Sequence, residues 1–293
     1  MLDYAAISAL AAVVREGSFE AAAAALSITP SAVSQRIKGL EERLGAVLVV
    51  RSQPCRATEA GAALCSHLER VRLLESDLSL PGLAGRLPTL RVAVNADSLA
   101  TWFPAAAAAF AADDTAMLDL TLDDEDHTAA RLRSGEVVAA VTADPTPVTG
   151  CKIATLGTMT YCAVARPDFI AQRFPRRGGM DEALTAAPML RFDRRDQMQA
   201  RWVREAHGIA IAPPVHWTPS TQGMLDLTLE GLGWGMAPLS LVKPLLRDRR
   251  LAELPPGHRM SVTLYWQSAR LHAAVLDRLT SAVTDAARTA MDR

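Results

Sequence analysis

The sequence predicts an α+β chain in two unequal parts, and three observations predict it. Residues 18–45, SFEAAAAALSITPSAVSQRIKGLEERLG, break into two short helices around a tight turn. Residues 46–61, AVLVVRSQPCRATEAG, read as an apolar strand, a turn around Pro54 and a return that runs into a new helix. From Leu90 onward, apolar strands alternate with helices in the rhythm of a parallel α/β sheet. At 293 residues the chain exceeds one typical domain and can bury a sizeable core.

The first helix spans about Tyr4 to Glu16, with Ile7, Leu10 and Val14 on one face, and Gly17 suits its left-handed end. Ser18 caps the next helix, and Phe19 anchors it to the first. Ala21 to Ala25 lack bulk, so helices can cross closely while Leu26 and Ile28 plug the angle. After the turn Ser27-Ile28-Thr29, Thr29 is a good N-cap and Pro30 suits the first helical position, where no amide bond is lost. At about 100° per residue, Ser31, Ser34, Gln35 and Lys38 share one face and Val33, Ile37, Leu40 and Leu44 the other. This is a helix-turn-helix whose polar face is free to enter a major groove.

The strand–turn–strand that follows makes the unit a winged helix-turn-helix in outline. Arg51 and Arg56 flank the turn and are expected at the phosphate backbone, and Thr58 caps a helix from about Glu59 to Leu80. Arg36, Lys38, Arg43, Arg51 and Arg56 outnumber Glu41 and Glu42 locally, but the formal charge of the chain is −1. Non-specific phosphate attraction is therefore weak, and binding should depend on a specific dimeric footprint on double-stranded DNA. The expected DNA-facing set is Pro30, Ser31, Ser34, Gln35, Lys38, Arg51 and Arg56, with Arg36, between the two faces, in a lesser role.

The order TPSAVSQRIKGLEERLG, then VLVVR, then RATEAG resembles the DNA-binding domain of LysR-type transcriptional regulators over the first sixty or so residues. Within that family VAVNADSLATW at 92–102 looks like the LysG/ArgP branch, and GLGWGMAP and LYWQSARL fit the same branch. The resemblance implies a regulator that senses lysine, arginine or a related amino acid and activates an amino-acid exporter gene. It also implies dimers or tetramers, contact with RNA polymerase, and no cofactor beyond the effector. Ala57 stands where the family commonly has leucine, and Gln53-Pro54-Cys55 where it has a glycine turn.

In the helix from Glu59, Leu64, Val71 and Leu78 lie seven apart, with His67 or Leu68 and Leu74 on a second seam. That is a short coiled coil able to pair two subunits, which implies an imperfectly palindromic DNA site. Pro81-Gly82 ends it and Leu83–Pro88 is a hinge. The expected division is 1–58 for the DNA-binding domain, 59–88 for the linker helix and hinge, and 89–293 for an effector domain. Lobe I of that domain is about 89–154 with 262–293, and lobe II about 155–261.

Strands are expected at Leu90–Val94, Leu118–Leu122 and Val137–Val141, with helices at Ala100–Ala112 and Thr128–Ser134. A second unit begins near Thr155 with a strand around Tyr161–Ala165 and adds Met189–Phe192, His216–Thr218 and Gly233–Pro238. Ser261–Gln267 crosses back, and a last helix, about Leu271–Ala290, packs on the first unit. Two α/β lobes joined by two crossing strands resemble periplasmic binding proteins, the form of the LysR effector domain. Ligands of such sheets bind at the carboxyl ends of strands, here between the lobes.

Three segments should line that cleft. Asn95, Asp97 and Ser98 follow the first strand, with Thr101 one turn later, where amides and a hydroxyl suit an α-carboxylate, and Asp97 reads equally as a helix cap. Asp123, Asp124 and Glu125 follow the second strand and suit an ammonium or guanidinium group, or else merely satisfy a helix dipole. Asp193 and Thr221 approach from the second lobe, whereas Trp234 in GLGWGMAP is read as packing.

Other classes find little support. No apolar run reaches the ~18 residues of a membrane span, and with Asp3 and no basic n-region a signal peptide is not expected. A cytoplasmic, nucleoid-associated protein is the expectation. Cysteines 55, 65, 151 and 162 lack metal-ligand spacing and read as reduced structural thiols. There is no G-x-S-x-G elbow, Walker loop, dinucleotide fingerprint or H-E-x-x-H helix, so no catalytic residues and no metal are assigned. The alternative is a solute-binding protein or small-molecule enzyme whose N-terminal helices serve dimerisation.

Overall fold

Local capping decides where the N-terminal helices begin and end. A computed structural model describes residues 2–78, 87–122, 125–174 and 179–291, with the backbone alone at 125–127. Helix α1 (Tyr4–Glu16) starts where Asp3 accepts from the Ala6 amide and stops at Gly17, φ 78°. Ser18 caps α2 (Phe19–Leu26) by accepting from the Ala21 amide. Thr29 caps α3 (Pro30–Leu44) by accepting from the Ala32 amide, with Pro30 in its first turn. Ile7, Leu10, Ala22, Ala23, Val33, Ile37 and Leu40 close into one core. Leu44, expected on the buried face, is instead 45% exposed. It holds the last position of α3, one turn beyond the last buried residue, Leu40.

Strands β1 (Val49–Val50) and β2 (Arg56–Ala57) pair antiparallel as the wing. Helix α4 (Glu59–Glu75) follows, with Thr58 accepting from the Gly61 amide. A Cβ at Gly61 would collide with the Leu48 carbonyl, so glycine lets α4 press against the wing strand. The helix ends five residues before the expected Leu80, because the Ser76 hydroxyl donates to the Leu73 carbonyl and Asp77 and Leu78 turn back on Leu74 and Glu75. Leu78 therefore lies past the helix, and the seam Leu64–Val71–Leu78 is not helical along its whole length. Leu64 and Leu68 pack toward the N-terminal core and Leu73 enters the second core, while Leu74 is exposed. Pro81-Gly82 and residues 83–86 of the expected hinge lie outside the described residues.

Beyond the hinge come β3 (Thr89–Val94), α5 (Ala96–Ala100), α6 (Phe103–Ala111), β4 (Met117–Leu122), α7 (Glu125–Ser134) and β5 (Ala139–Thr142). β3 pairs parallel with both β4 and β5. The helix expected at Ala100–Ala112 starts at Phe103, and the short helix α5 precedes it. The Thr101 hydroxyl folds back onto the Asp97 carbonyl at 2.6 Å. Pro104, which donates no amide bond, lies in the first turn of the restarted helix. Helix α7 also begins three residues earlier than the expected Thr128.

The strand expected around Tyr161–Ala165 is the end of one 15-residue strand, β6 (Cys151–Ala165). After it come α8 (Pro167–Arg173), α9 (Met180–Ala186), β7 (Met189–Arg191), α10 (Met198–His207), β8 (Val215–Trp217), α11 (Thr221–Leu229) and β9 (Gly235–Pro238). Helix α12 (Leu239–Arg247), β10 (Ala252–Glu253), β11 (Arg259–Ala269) and α13 (Ala274–Ala290) complete the order. β6 and β11 are the two crossing strands, antiparallel from Cys151 opposite Ala269 to Cys162 opposite Arg259. Their register slips between Leu264 and Tyr265, opposite Gly157 at φ 142°, a backbone region that only glycine enters readily. The main sheet runs β10-β6-β11-β5-β3-β4, with β9 also on β6, and β7-β8 form a parallel pair in the second lobe. Leu276, Leu279 and Val283 of α13 bury against Phe103 and Phe110 of the first lobe. Trp234 is fully buried beside Trp202, ring centroids 5.5 Å apart, so it packs the core.

Candidate functional site

Two surfaces carry the predicted functional residues. On α3, Pro30, Ser31, Gln35 and Lys38 are exposed, Ser34 is half-buried, and Arg36 is exposed beside them. Val33, Ile37 and Leu40 fix the opposite face, so the polar face is presented rigidly. Lys38 meets Glu42 at 3.7 Å across exposed helix surface, an ion pair weak enough to be exchanged for a phosphate. The Arg51 guanidinium lies 5.0 Å over the Phe19 ring, which ties the wing to the start of α2. Arg56 is exposed on the wing's return strand.

Between the lobes lies a cavity of about 740 Å³. The structure brings Asn95, Asp97, Asp193 and Thr221 to its wall, together with Asp144, Tyr161, Asp196, Gln199 and Tyr265. Asn95 and Asp97 follow β3, Asp144 follows β5, and Asp193 and Asp196 follow β7, so carboxylates gather where strand ends face the cleft. Asp97 spans the lobes. Its Oδ1 accepts from the Thr221 hydroxyl at 2.6 Å and its Oδ2 from the Tyr161 hydroxyl at 2.8 Å. Loss of water raises the pKa of this carboxyl. The two hydroxyls pull it back down and nearby Asp196 pushes it further up.

The other acids are held by backbone. Asp193 Oδ1 accepts from the Arg195 and Asp196 amides at 2.7 and 2.9 Å. Asp196 accepts from the Phe192 amide at 3.1 Å and from the Met198 amide at 2.9 Å, capping α10. Asn95 Oδ1, Ser98 Oγ and Gln199 Oε1 are buried without a hydrogen-bond partner.

Two predicted residues fall outside the cavity wall: Ser98 is fully buried beneath it, and the Thr101 hydroxyl is spent on the Asp97 carbonyl. Asp123 and Asp124 lie outside the described residues, as does the side chain of Glu125. Asp144 was reachable by the strand-end rule applied to Val137–Val141, and Tyr161 lies on the expected strand. Gln199 carries no local signal at all.

Among the described residues, no group of three or more His, Cys, Asp or Glu side chains could hold a metal ion. Burial pushes the Cys65 thiol up to about 11 and Cys162 to about 12, which suits protonated structural thiols. No helix among the described residues is long and apolar enough to cross a membrane.

Residues 4–62 match the family model for bacterial regulatory helix-turn-helix proteins of the lysR family, and residues 84–288 that for the LysR substrate binding domain. The chain is 43% identical over 290 residues to the HTH-type transcriptional regulator LysG of Mycobacterium tuberculosis, covering 98% of this chain and 94% of that one. It is similar to the crystal structure of ArgP from Mycobacterium tuberculosis, with a TM-score of 0.85, 41% identity, and 100% and 99% of the two chains covered. Full-length LysG from Corynebacterium glutamicum with bound effector arginine superposes with a TM-score of 0.75 at 39% identity over both complete chains. The alternative of a solute-binding protein or enzyme gives way to these matches, which span both the DNA-reading and the cleft-bearing parts. The chain belongs to the LysR family of transcriptional regulators.

Proposed function

We propose that this chain is an arginine- or lysine-responsive regulator that activates an amino-acid exporter gene. The observation that carries the effector class is Asp97, a desolvated carboxylate in the interlobe cleft that meets two hydroxyls and, among the described residues, no hydrogen-bonded cation. An ionised carboxyl in such a place is costly until a cation joins it, and a basic amino acid supplies one. The bound arginine in the related LysG supports that reading. Asn95, Asp193 and Thr221 complete the proposed contact set, with Ser98 and Thr101 shaping the loop behind Asp97. Asp123, Asp124 and Glu125 belong to it by sequence position alone.

On the DNA side, Ser34 and Gln35 read bases, Pro30 and Ser31 place the helix start, and Lys38, Arg51 and Arg56 hold phosphates. The working assembly is a dimer or tetramer on an imperfect palindrome, contacting RNA polymerase in the cytoplasm at the nucleoid. Residues 1–58, 59–88 and 89–293 act as reader, linker and sensor. Effector couples them by binding two arrangements of the assembly with different affinity.

Thermal-shift screening of the full chain against the twenty amino acids tests the effector reading. Arginine or lysine should raise the melting temperature; a panel in which neither does sinks it. A mobility shift on the intergenic DNA beside the chain's own gene tests the DNA reading, with binding expected at low salt and falling as salt rises.

A further inference from the structure

We propose that Gln199 makes the cleft prefer a guanidinium to a primary ammonium, an inference that rests on the basic-amino-acid reading of the cavity. Gln199, in the first turn of α10, lines the cavity and is 1% exposed. Its Nε2 donates to the Leu190 carbonyl at 2.9 Å. Only the amide nitrogen can make that bond, so the orientation of the side chain is fixed by chemistry. The Oε1 atom is thereby left buried with no donor. Asn95, another residue of the cavity wall, holds a second covered orphan, its Oδ1. Buried acceptors normally have partners, and two unpaired ones on the wall of one cavity mark where a ligand's N–H groups belong.

These two oxygens are neutral, and that decides which cation they favour. An ammonium is a compact, strongly hydrated charge whose three donors leave one atom, and it gains most from charged acceptors. A guanidinium spreads its charge over a plane, is less hydrated, and offers five donors, so it can engage Asp97 and still have N–H groups for uncharged acceptors. Gln199 Oε1 is also covered in the structure, so a ligand donor reaches it only as the cavity wall rearranges. The bond then exists only in the ligand-bound arrangement, which is the differential contact an effector needs to shift a conformational equilibrium.

Calorimetry on the full chain with L-arginine and L-lysine tests this in wild type, Gln199→Met and Gln199→Glu. Methionine has similar bulk and lacks the acceptor; glutamate replaces the neutral acceptor with a charged one. Wild type should bind arginine about tenfold or more tighter than lysine, the scale of one hydrogen bond to a charged group. In Gln199→Met the ratio should fall toward one, chiefly through loss of arginine affinity, and in Gln199→Glu it should also fall, chiefly through gain of lysine affinity. If Gln199→Met does not fold, the wild-type ratio and the Gln199→Glu ratio decide between the two outcomes. An equal loss for both ligands in Gln199→Met would mean that Gln199 only braces Leu190, and overturns the proposal. So does a wild type that favours lysine, or a Gln199→Glu variant that keeps the wild-type ratio. A wild type that binds neither amino acid instead removes the effector reading itself.

Discussion

Asp97 concentrates the conflict between stability and sensing in a single carboxyl. Its pKa in the folded chain is raised, so the folded chain holds this proton more tightly than the unfolded chain does. Its contribution to stability is therefore favourable below the unfolded value and is lost as pH rises through the raised folded value. Once ionised, the group is a cost, and a cationic effector relieves it. Asp97→Asn should melt no lower than wild type at pH 7, because an amide can still accept from one hydroxyl and donate to the other. Arginine affinity should nevertheless fall at least about thirtyfold, the scale for losing one partner of a buried charge pair. In wild type, affinity should weaken as pH drops through the raised Asp97 value, and Asp97→Asn should lose that dependence. Calorimetry across pH checks both, and unchanged arginine binding in the variant would remove Asp97 from the site. Asp97 was legible from the sequence as a polar residue just after a strand; its hydroxyl partners, 64 and 124 residues away, were not.

At the scale of the element, legibility follows how local the determining contacts are. Helices α1, α2 and α3 fall where Gly17, Ser18, Thr29 and Pro30 place them, because each cap bonds within the turn it closes and Pro30 suits the first turn. The reach of β6 depends on its pairing with β11 across the fold, which a window of residues does not contain. Thr58 joins the two kinds of determinant. Its Oγ1 accepts from the Gly61 amide at 3.1 Å and donates to the Val47 carbonyl at 2.8 Å, pinning α4 to the wing. Thr58→Ala should cost about 1–2 kcal/mol of stability, read by chemical denaturation. The DNA-facing helix and the wing should separate in a binding assay. Gln35→Ala should cost on the order of 1–3 kcal/mol of discrimination between cognate and altered sites. Arg51→Ala should instead weaken all sequences alike and lower the salt slope by about one. Equal losses on cognate and altered sites for Gln35→Ala would take it out of base recognition.

Across the whole molecule, α4 is the member that both cores share. Leu68 is buried in the N-terminal core and Leu73, little more than one turn later, in the effector core. The Tyr4 hydroxyl meets His67 Nε2 at 3.0 Å, holding α1 to the same helix. Ser66 packs under Gly135, where φ is 68° and a Cβ would collide with its side chain, so α4 sits tightly on the end of α7. Just past α4, the Asp77 carboxylate accepts from the Ala274 amide at 3.0 and 3.2 Å. Helix α13 has Ala273 at its N-cap and no side-chain cap of its own, so the segment leading from the DNA reader supplies the cap of the sensor's last helix. Movement in the effector domain must therefore carry α4 with it or break that bond. Asp77→Ala should cost about 1 kcal/mol of stability, the usual loss of an N-cap. Arginine affinity should stay within about twofold, since Asp77 is remote from the cavity wall. The ratio of DNA affinities with and without arginine should shrink, because coupling is a free energy carried by the contacts that differ between the two states. Measuring that ratio for wild type and Asp77→Ala decides the matter: an unchanged ratio would leave Asp77 as a cap and nothing more.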